Sequence, residues 1–270
     1  MNDLLSYYKR LWNLRDDVES FSTLSSILQP VTWKDSPAML KIALHHEERL
    51  GNSLMHWWNG NGSARVLMYD DQAILMEHTM GTLSLVEMVK AGQDNEASRI
   101  LCDAVAKLHD HRPPYPVGLV LLTEWFKKLE PAAARFGGLF VESNKIANKL
   151  LADQRDIVAL HGDIHHGNVL DFGGRGWLAI DPKGLIGDPA YETANVFINP
   201  ERGDHIAADP RRVAARADIL AERLGYPRKR ILGWAAAHAA LSACWDLADG
   251  KPITGQLACL PHLLSAYDQA

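Results

Sequence analysis

The stretch Leu160-His161-Gly162-Asp163-Ile164-His165-His166-Gly167-Asn168 carries the pattern H-x-D-x-x-x-x-N, and Ile180-Asp181-Pro182 follows shortly downstream. Moving a phosphoryl group from a nucleotide to an alcohol needs an aspartate to accept the hydroxyl proton, and an asparagine and a second aspartate to hold magnesium. In that scheme Asp163 is the base, and His161 joins the catalytic set by orienting the loop. Asn168 and Asp181 are the metal ligands and, through the metal, nucleotide contacts.

The spacing supports the grouping. Asn168–Phe172 reads as a strand, Gly173-Gly174-Arg175-Gly176 as a turn, and Trp177–Asp181 as the returning strand. With that four-residue loop, Phe172 pairs with Trp177 and Asn168 falls opposite Asp181. Opposed residues have Cβ atoms about 5 Å apart, so an amide oxygen and a carboxylate meet where a hard cation can sit. His161, His165 and His166 also invite a zinc reading. Asp163, however, stands where the common metallo-hydrolase arrangement has its second histidine.

Two lobes must position these residues. Residues 1–80 read as a compact β-rich lobe with one helix. Val18–Thr23, Ser26–Trp33, Ala38–Ile42, Arg65–Tyr69 and Ala73–Glu77 are the expected strands, with a turn at Lys34-Asp35-Ser36-Pro37. The helix runs from His45 to Trp58 and ends in Asn59-Gly60-Asn61-Gly62. From residue 81 to 270 the pattern is helical. Ile100, Leu101, Ala104, Val105 and Leu108 form one stripe between Asn95 and Asp110, and two helical stretches within 119–155 break near Gly137-Gly138. Residues 210–224, 228–248 and 255–267 read as the last helices. The expected fold class is α+β, with a linker near residue 80.

At 270 residues and 47% hydrophobic content the chain can bury a full core. No apolar run approaches the roughly 20 residues that span a bilayer, and MNDLLSYYKRLW lacks the apolar centre of a signal peptide. Only Cys102, Cys244 and Cys259 occur, which suits a reduced cytoplasm better than a disulfide scaffold. A net charge of −5 without a basic block disfavours nucleic acid and leaves room for a cationic small molecule.

The segments LHGDIHHGN (160–168), RGWLAIDPKGLIGDPAYETAN (175–195), DPRR (209–212) and ALSACWDLADG (240–250) resemble the aminoglycoside phosphotransferases, which share the protein-kinase-like fold. The likeness is nearest to the branch of streptomycin 6-phosphotransferases and hydroxyurea phosphotransferases. It implies ATP or GTP with magnesium, and a small hydroxyl acceptor, in the first place an aminoglycoside antibiotic such as streptomycin. It also implies that Lys41 contacts the α- and β-phosphates and pairs with a helix glutamate. Comparison with the branch points to Glu48, the favoured partner. Periodicity points to Glu47, on the stripe of Leu50, Leu54 and Trp57. Ala73–Gly81 resembles the hinge, where Glu77 and Thr79 offer backbone hydrogen bonds to adenine. Ser22–Ser26 stands in place of a glycine-rich phosphate loop. Lys183 lies within reach of a phosphate.

Asp188, Glu192, Asp204, Asp246 and Asp249 are candidate carboxylates for a guanidinium or ammonium acceptor, with Trp234 and Trp245 as stacking surfaces; the alternative for Asp188 and Glu192 is to brace the loop after the metal hairpin. Choline-like amines, amino-alcohols, sugars and hydroxyurea are alternative acceptors. A non-catalytic nucleotide-binding regulator is a further alternative, against which the intact Lys41, Asp163, Asn168 and Asp181 speak.

Overall fold

The computed structural model describes residues 2–110, 113–200 and 207–270. An N-terminal helix, α1 (Asn2–Leu11), precedes β1 (Arg15–Asp16), β2 (Phe21–Ser22), β3 (Ser26–Trp33) and β4 (Ser36–Ala43). Then come α2 (His46–Trp58), β5 (Val66–Tyr69) and β6 (Ala73–Glu77). The sheet order is β1-β3-β4-β6-β5, with β2 also on β3 and every pairing antiparallel. Lys34 and Asp35 both take positive φ, the two-residue turn that matches strand twist. The helix α1 was not expected. It buries Leu5 and Tyr8, with Trp12 just after its end, against Val31 and Leu40 of the sheet. The expected strand over Val18–Thr23 shrinks to Phe21–Ser22.

The remainder is mostly helical. It begins with α3 (Leu85–Lys90) and α4 (Asp94–His109), followed by β7 (Val120–Leu121), α5 (Leu122–Trp125), α6 (Leu129–Phe136) and α7 (Gly138–Ala152). Four short strands come next, β8 (Val158–Leu160), β9 (Val169–Asp171), β10 (Trp177–Ala179) and β11 (Leu185–Gly187). A 3₁₀ helix over Pro189–Ile198 leads to α8 (Pro210–Leu224), α9 (Arg228–Ala248) and α10 (Thr254–Asp268). The last helices fall almost where composition puts them. Asp209 caps α8 by accepting from the Arg211 N–H, Pro210 opens it, and Gly225 at φ 74° closes it.

Two contacts join the parts. Leu54, Met55 and Trp58 of α2 and Ile74 and Met76 of β6 share a core with Leu101, Leu108, Val169 and Phe172. Helix α2 also presses its backbone onto the segment after β10. A Cβ at Gly51 would stand 2.1 Å from the Pro182 carbonyl oxygen, so glycine is what permits the approach. No helix among the described residues is long and apolar enough to cross a membrane.

Candidate active site

The hairpin register differs from the expected one. Trp177 pairs with Asp171 and Ala179 with Val169, so the loop has five residues, from Phe172 to Gly176. Phe172 donates to the Gly176 carbonyl at 2.8 Å around a 3₁₀ turn, which takes Phe172 out of the ladder. Asn168 is therefore opposite Ile180, whose N–H donates to the Asn168 carbonyl at 2.9 Å. Asp181 lies one residue further on, at φ 61°. Both side chains still line one cavity of about 150 Å³, together with Lys41, Ser26, Asn52 and Met55.

In that cavity the Lys41 ammonium is clamped between Glu48, at 2.5 Å, and Asp181. The Ser26 hydroxyl donates to the same Glu48 oxygen at 2.8 Å. Glu48 is the inward glutamate, and Glu47 is exposed. The apolar stripe of α2 is broad enough to accommodate either residue. The sheet lies on the side of Asn52 and Met55, and Glu48 is one turn before Asn52. Burial alone would raise the Glu48 and Asp181 carboxyls, but the Lys41 charge and hydrogen bond together with the Lys183 charge outweigh it and leave both below their ordinary values.

The loop base is held from three sides. Asn195, on the 3₁₀ helix, donates to Asp163 Oδ1 at 2.6 Å. The Asn168 amide nitrogen donates to the Asp163 carbonyl at 3.0 Å. The Lys183 ammonium stands 3.9 Å from Oδ2. With its nitrogen so engaged, Asn168 has its Oδ1 as the remaining end. Asn168 Oδ1 and the Asp181 carboxylate form a hard oxygen donor set of the kind magnesium takes.

His161 is buried and neutral. Its Nε2 donates to the Ile180 carbonyl at 2.8 Å, and its Nδ1 accepts from the Asp163 N–H at 3.3 Å. Burial pushes its imidazole below the ordinary value. His165 Nδ1 accepts from Gly167, and His166 Nε2 from Arg216. The three histidines thus serve separate partners. Among the described residues no cluster of three histidine, cysteine or carboxylate side chains gathers around a common point, which removes the zinc reading.

Sequence reasoning missed Asn195, although it ends the quoted motif, and of its two readings for Glu192, acceptor carboxylate or loop brace, the structure selects a brace. Glu192 is buried and accepts from the His161 N–H at 2.8 Å, the Gly162 N–H at 2.7 Å and His109 Nε2 at 3.1 Å. It braces the catalytic loop and does not face an acceptor. Asp188 caps the 3₁₀ helix and pairs with Arg230. Asp246 is buried and accepts from Gln256 at 2.5 Å. Trp234 lies fully inside the helical core. Asp204 lies outside the described residues. The DPRR segment is also structural, since Arg212 joins Asp94 of α4, at 2.9 Å, to the Asn199 carbonyl, at 2.7 Å.

Of the proposed acceptor groups, Asp249 and Trp245 do line a second cavity, of about 640 Å³. Asp163, Lys183, Glu47, Glu124 and Trp125 line it too, with Lys127 and Lys128. Trp125 meets Trp245 edge-on at 4.9 Å between ring centroids and donates to the Tyr191 hydroxyl at 2.8 Å. Glu124 pairs with Lys127, and Asp249 with Lys251.

The side chains of Glu77 and Thr79 are not among those lining the nucleotide-side cavity. Ile74 and Met76 face it from β6, and the two-residue strand period turns Glu77 away. Glu77 pairs with Arg175, and its N–H donates to the Arg65 carbonyl at 3.0 Å. The Thr79 hydroxyl donates to the Asp171 carbonyl.

A β-rich lobe over a helical one, with a lysine–glutamate pair facing a loop aspartate, defines a kinase-fold phosphotransferase with an alcohol group as acceptor. Residues 11–250 match the family described as aminoglycoside/hydroxyurea antibiotic resistance kinase, and the chain belongs to that family. It is 44% identical over 242 residues to the streptomycin 3''-kinase of Klebsiella pneumoniae, covering 88% of this chain and 91% of that one. To the streptomycin 6-kinase of Streptomyces griseus it is 30% identical over 263 residues, 88% of this chain and 80% of the other. A choline/ethanolamine kinase family protein from Mesorhizobium loti shares the fold, with a TM-score of 0.69 at 15% identity and both chains covered in full.

Proposed function

We propose that this enzyme transfers the γ-phosphoryl group of ATP to a hydroxyl of streptomycin or a closely similar cationic aminocyclitol. One observation carries the reading. The catalytic loop is a wall shared by two cavities, with Asn168 in the one that holds Lys41 and Asp181, and Asp163 in the one lined by Glu47, Trp125, Trp245 and Asp249. Donor and acceptor then approach the loop from opposite sides. The higher identity to the 3''-kinase favours the 3''-hydroxyl over the 6-hydroxyl.

Residues 1–80 would form the nucleotide-binding lobe and residues 81–270 the lobe with the catalytic loop and acceptor site. Lys41, positioned by Glu48, would meet the α- and β-phosphates. Asn168 and Asp181 would hold magnesium, which when bound neutralises charge on the phosphates. Any adenine contact at Glu77 would use its carbonyl, because its N–H serves Arg65; Thr79 would offer its backbone next to it. Asp163, oriented by Asn195 and by the His161-anchored loop, would take the acceptor proton as the oxygen attacks. The cytoplasm, where ATP is abundant, suits three buried free thiols.

The test is turnover of ATP with streptomycin by the purified protein, with the phosphorylated position assigned by ³¹P NMR. Asp163→Asn should lose about 10²-fold or more in kcat while nucleotide affinity stays within about twofold. No turnover over an aminoglycoside panel, with robust phosphorylation of an uncharged alcohol, would discard streptomycin and retain the kinase.

A further inference from the structure

Lys183 lies on the run Asp181-Pro182-Lys183-Gly184 that leaves the β9–β10 hairpin. Its backbone N–H donates to the His161 carbonyl at 2.7 Å, which ties it to the catalytic loop. Lys183 lines the acceptor cavity together with Asp163. It stands 3.8 Å from Glu48 Oε1 on the nucleotide side and 3.9 Å from Asp163 Oδ2 on the acceptor side. Both are ion-pair distances longer than a hydrogen bond. Lys41 differs, because Glu48, at 2.5 Å, and Asp181 clamp it. One cation is locked, and the other is held loosely between the two sides, its side chain 23% exposed.

Resting on the phosphotransferase reading above, we propose that Lys183 is a further catalytic residue, whose ammonium binds the non-bridging oxygens of the terminal phosphoryl group during transfer. In that step the acceptor oxygen bonds to the terminal phosphorus, and its proton passes to Asp163. The bond from that phosphorus to the bridging oxygen breaks, and ADP leaves with the electron pair. Negative charge spreads over the three equatorial oxygens, so cations near them lower the barrier most. A phosphorus within reach of a hydroxyl held at Asp163 lies in the neighbourhood of Lys183. The four-carbon stem lets the ammonium swing onto it. The swing gives up only two long ion pairs, whereas moving Lys41 would break two short ones.

If Lys183 only balanced the charge of Glu48 and Asp163, its loss would affect every nucleotide alike. If it binds the terminal phosphoryl group, ADP should not notice its loss. The test uses Lys183→Gln and Lys183→Arg in the full chain. Calorimetry compares ADP with a non-hydrolysable ATP analogue, both with magnesium, and kinetics use ATP and streptomycin. Lys183→Gln should weaken the triphosphate analogue about tenfold and ADP no more than about twofold. It should lower kcat about 10²-fold with the acceptor KM within about threefold. Lys183→Arg should recover a large part of both losses, because a cation of similar reach remains. Equal weakening of ADP and the analogue would overturn the proposal, and so would a kcat within about threefold of wild type. Should the wild-type enzyme phosphorylate no alcohol at all, the functional reading falls, while the ADP-against-triphosphate comparison still decides the role of Lys183.

Discussion

Replacing Glu192 by glutamine should destabilise the fold and blunt catalysis together, although Glu192 touches neither proposed cavity. Its carboxylate accepts from the His161 and Gly162 N–H groups, at 2.8 and 2.7 Å, and from His109 at 3.1 Å. Its relative exposure is 1%. Glutamine keeps the shape but has one oxygen, so its NH₂ must face a donor. Two charge-assisted hydrogen bonds weaken, and one buried N–H loses its acceptor at about 1–3 kcal/mol. The sum is roughly 2–4 kcal/mol, which for a chain of this size lowers Tm by roughly 4–7 °C. The loop carrying Asp163 loses its brace, so kcat should fall about tenfold while nucleotide affinity changes little. Burial alone would raise the Glu192 carboxyl, but the hydrogen bonds from His109 and the Gly162 N–H hold it below the ordinary 4.5. A carboxylate depressed in the folded state stabilises above its unfolded value and loses that contribution as pH falls through the folded value. The Tm gap between wild type and variant should therefore be full at pH 7 and narrow below about pH 4.5. Calorimetric scans across pH and steady-state kinetics would measure this. A Glu192→Gln protein that melts within about 1 °C of wild type at pH 7, with unchanged kcat, refutes the brace.

Asp181→Ala should weaken magnesium–nucleotide binding more than Asn168→Ala, because a carboxylate carries charge and an amide does not; calorimetry with and without magnesium compares them. Gly51→Ala should cost about 1–3 kcal/mol, since its Cβ would sit 2.1 Å from the Pro182 carbonyl oxygen. The shift of α2 should also weaken ATP binding, and an unaltered Tm would show that the contact relaxes freely. Glu47→Gln, on the acceptor-side wall, should raise KM for streptomycin with kcat nearly constant. That effect should shrink as added salt brings the screening length to about 8 Å and below; a KM indifferent to both charge and salt would remove Glu47 from the acceptor site.

Local chemistry was enough to place several elements. Asp209, Pro210 and Gly225 delimit α8 because capping and positive-φ preferences act within a few residues. The H-x-D-x-x-x-x-N loop and Asp181 announced phosphate chemistry because their types and order are what that chemistry needs. Three matters lay beyond the sequence. The hairpin loop could close over four or five residues, and the Phe172 hydrogen bond to Gly176 selects five, moving Asn168 opposite Ile180. Helical periodicity put Glu47 on the apolar stripe although comparison with the branch favoured Glu48, and it is the position of the sheet that gives Lys41 to Glu48. Asp188, Glu192 and Asp246 are carboxylates like Asp249 in sequence, yet packing buries each of the first three against its own partners and leaves Asp249 at the cavity. A carboxylate's role depends on which donors surround it. Those donors come from α4, α9, α10 and the catalytic loop, segments far apart in the chain that meet only in the folded protein.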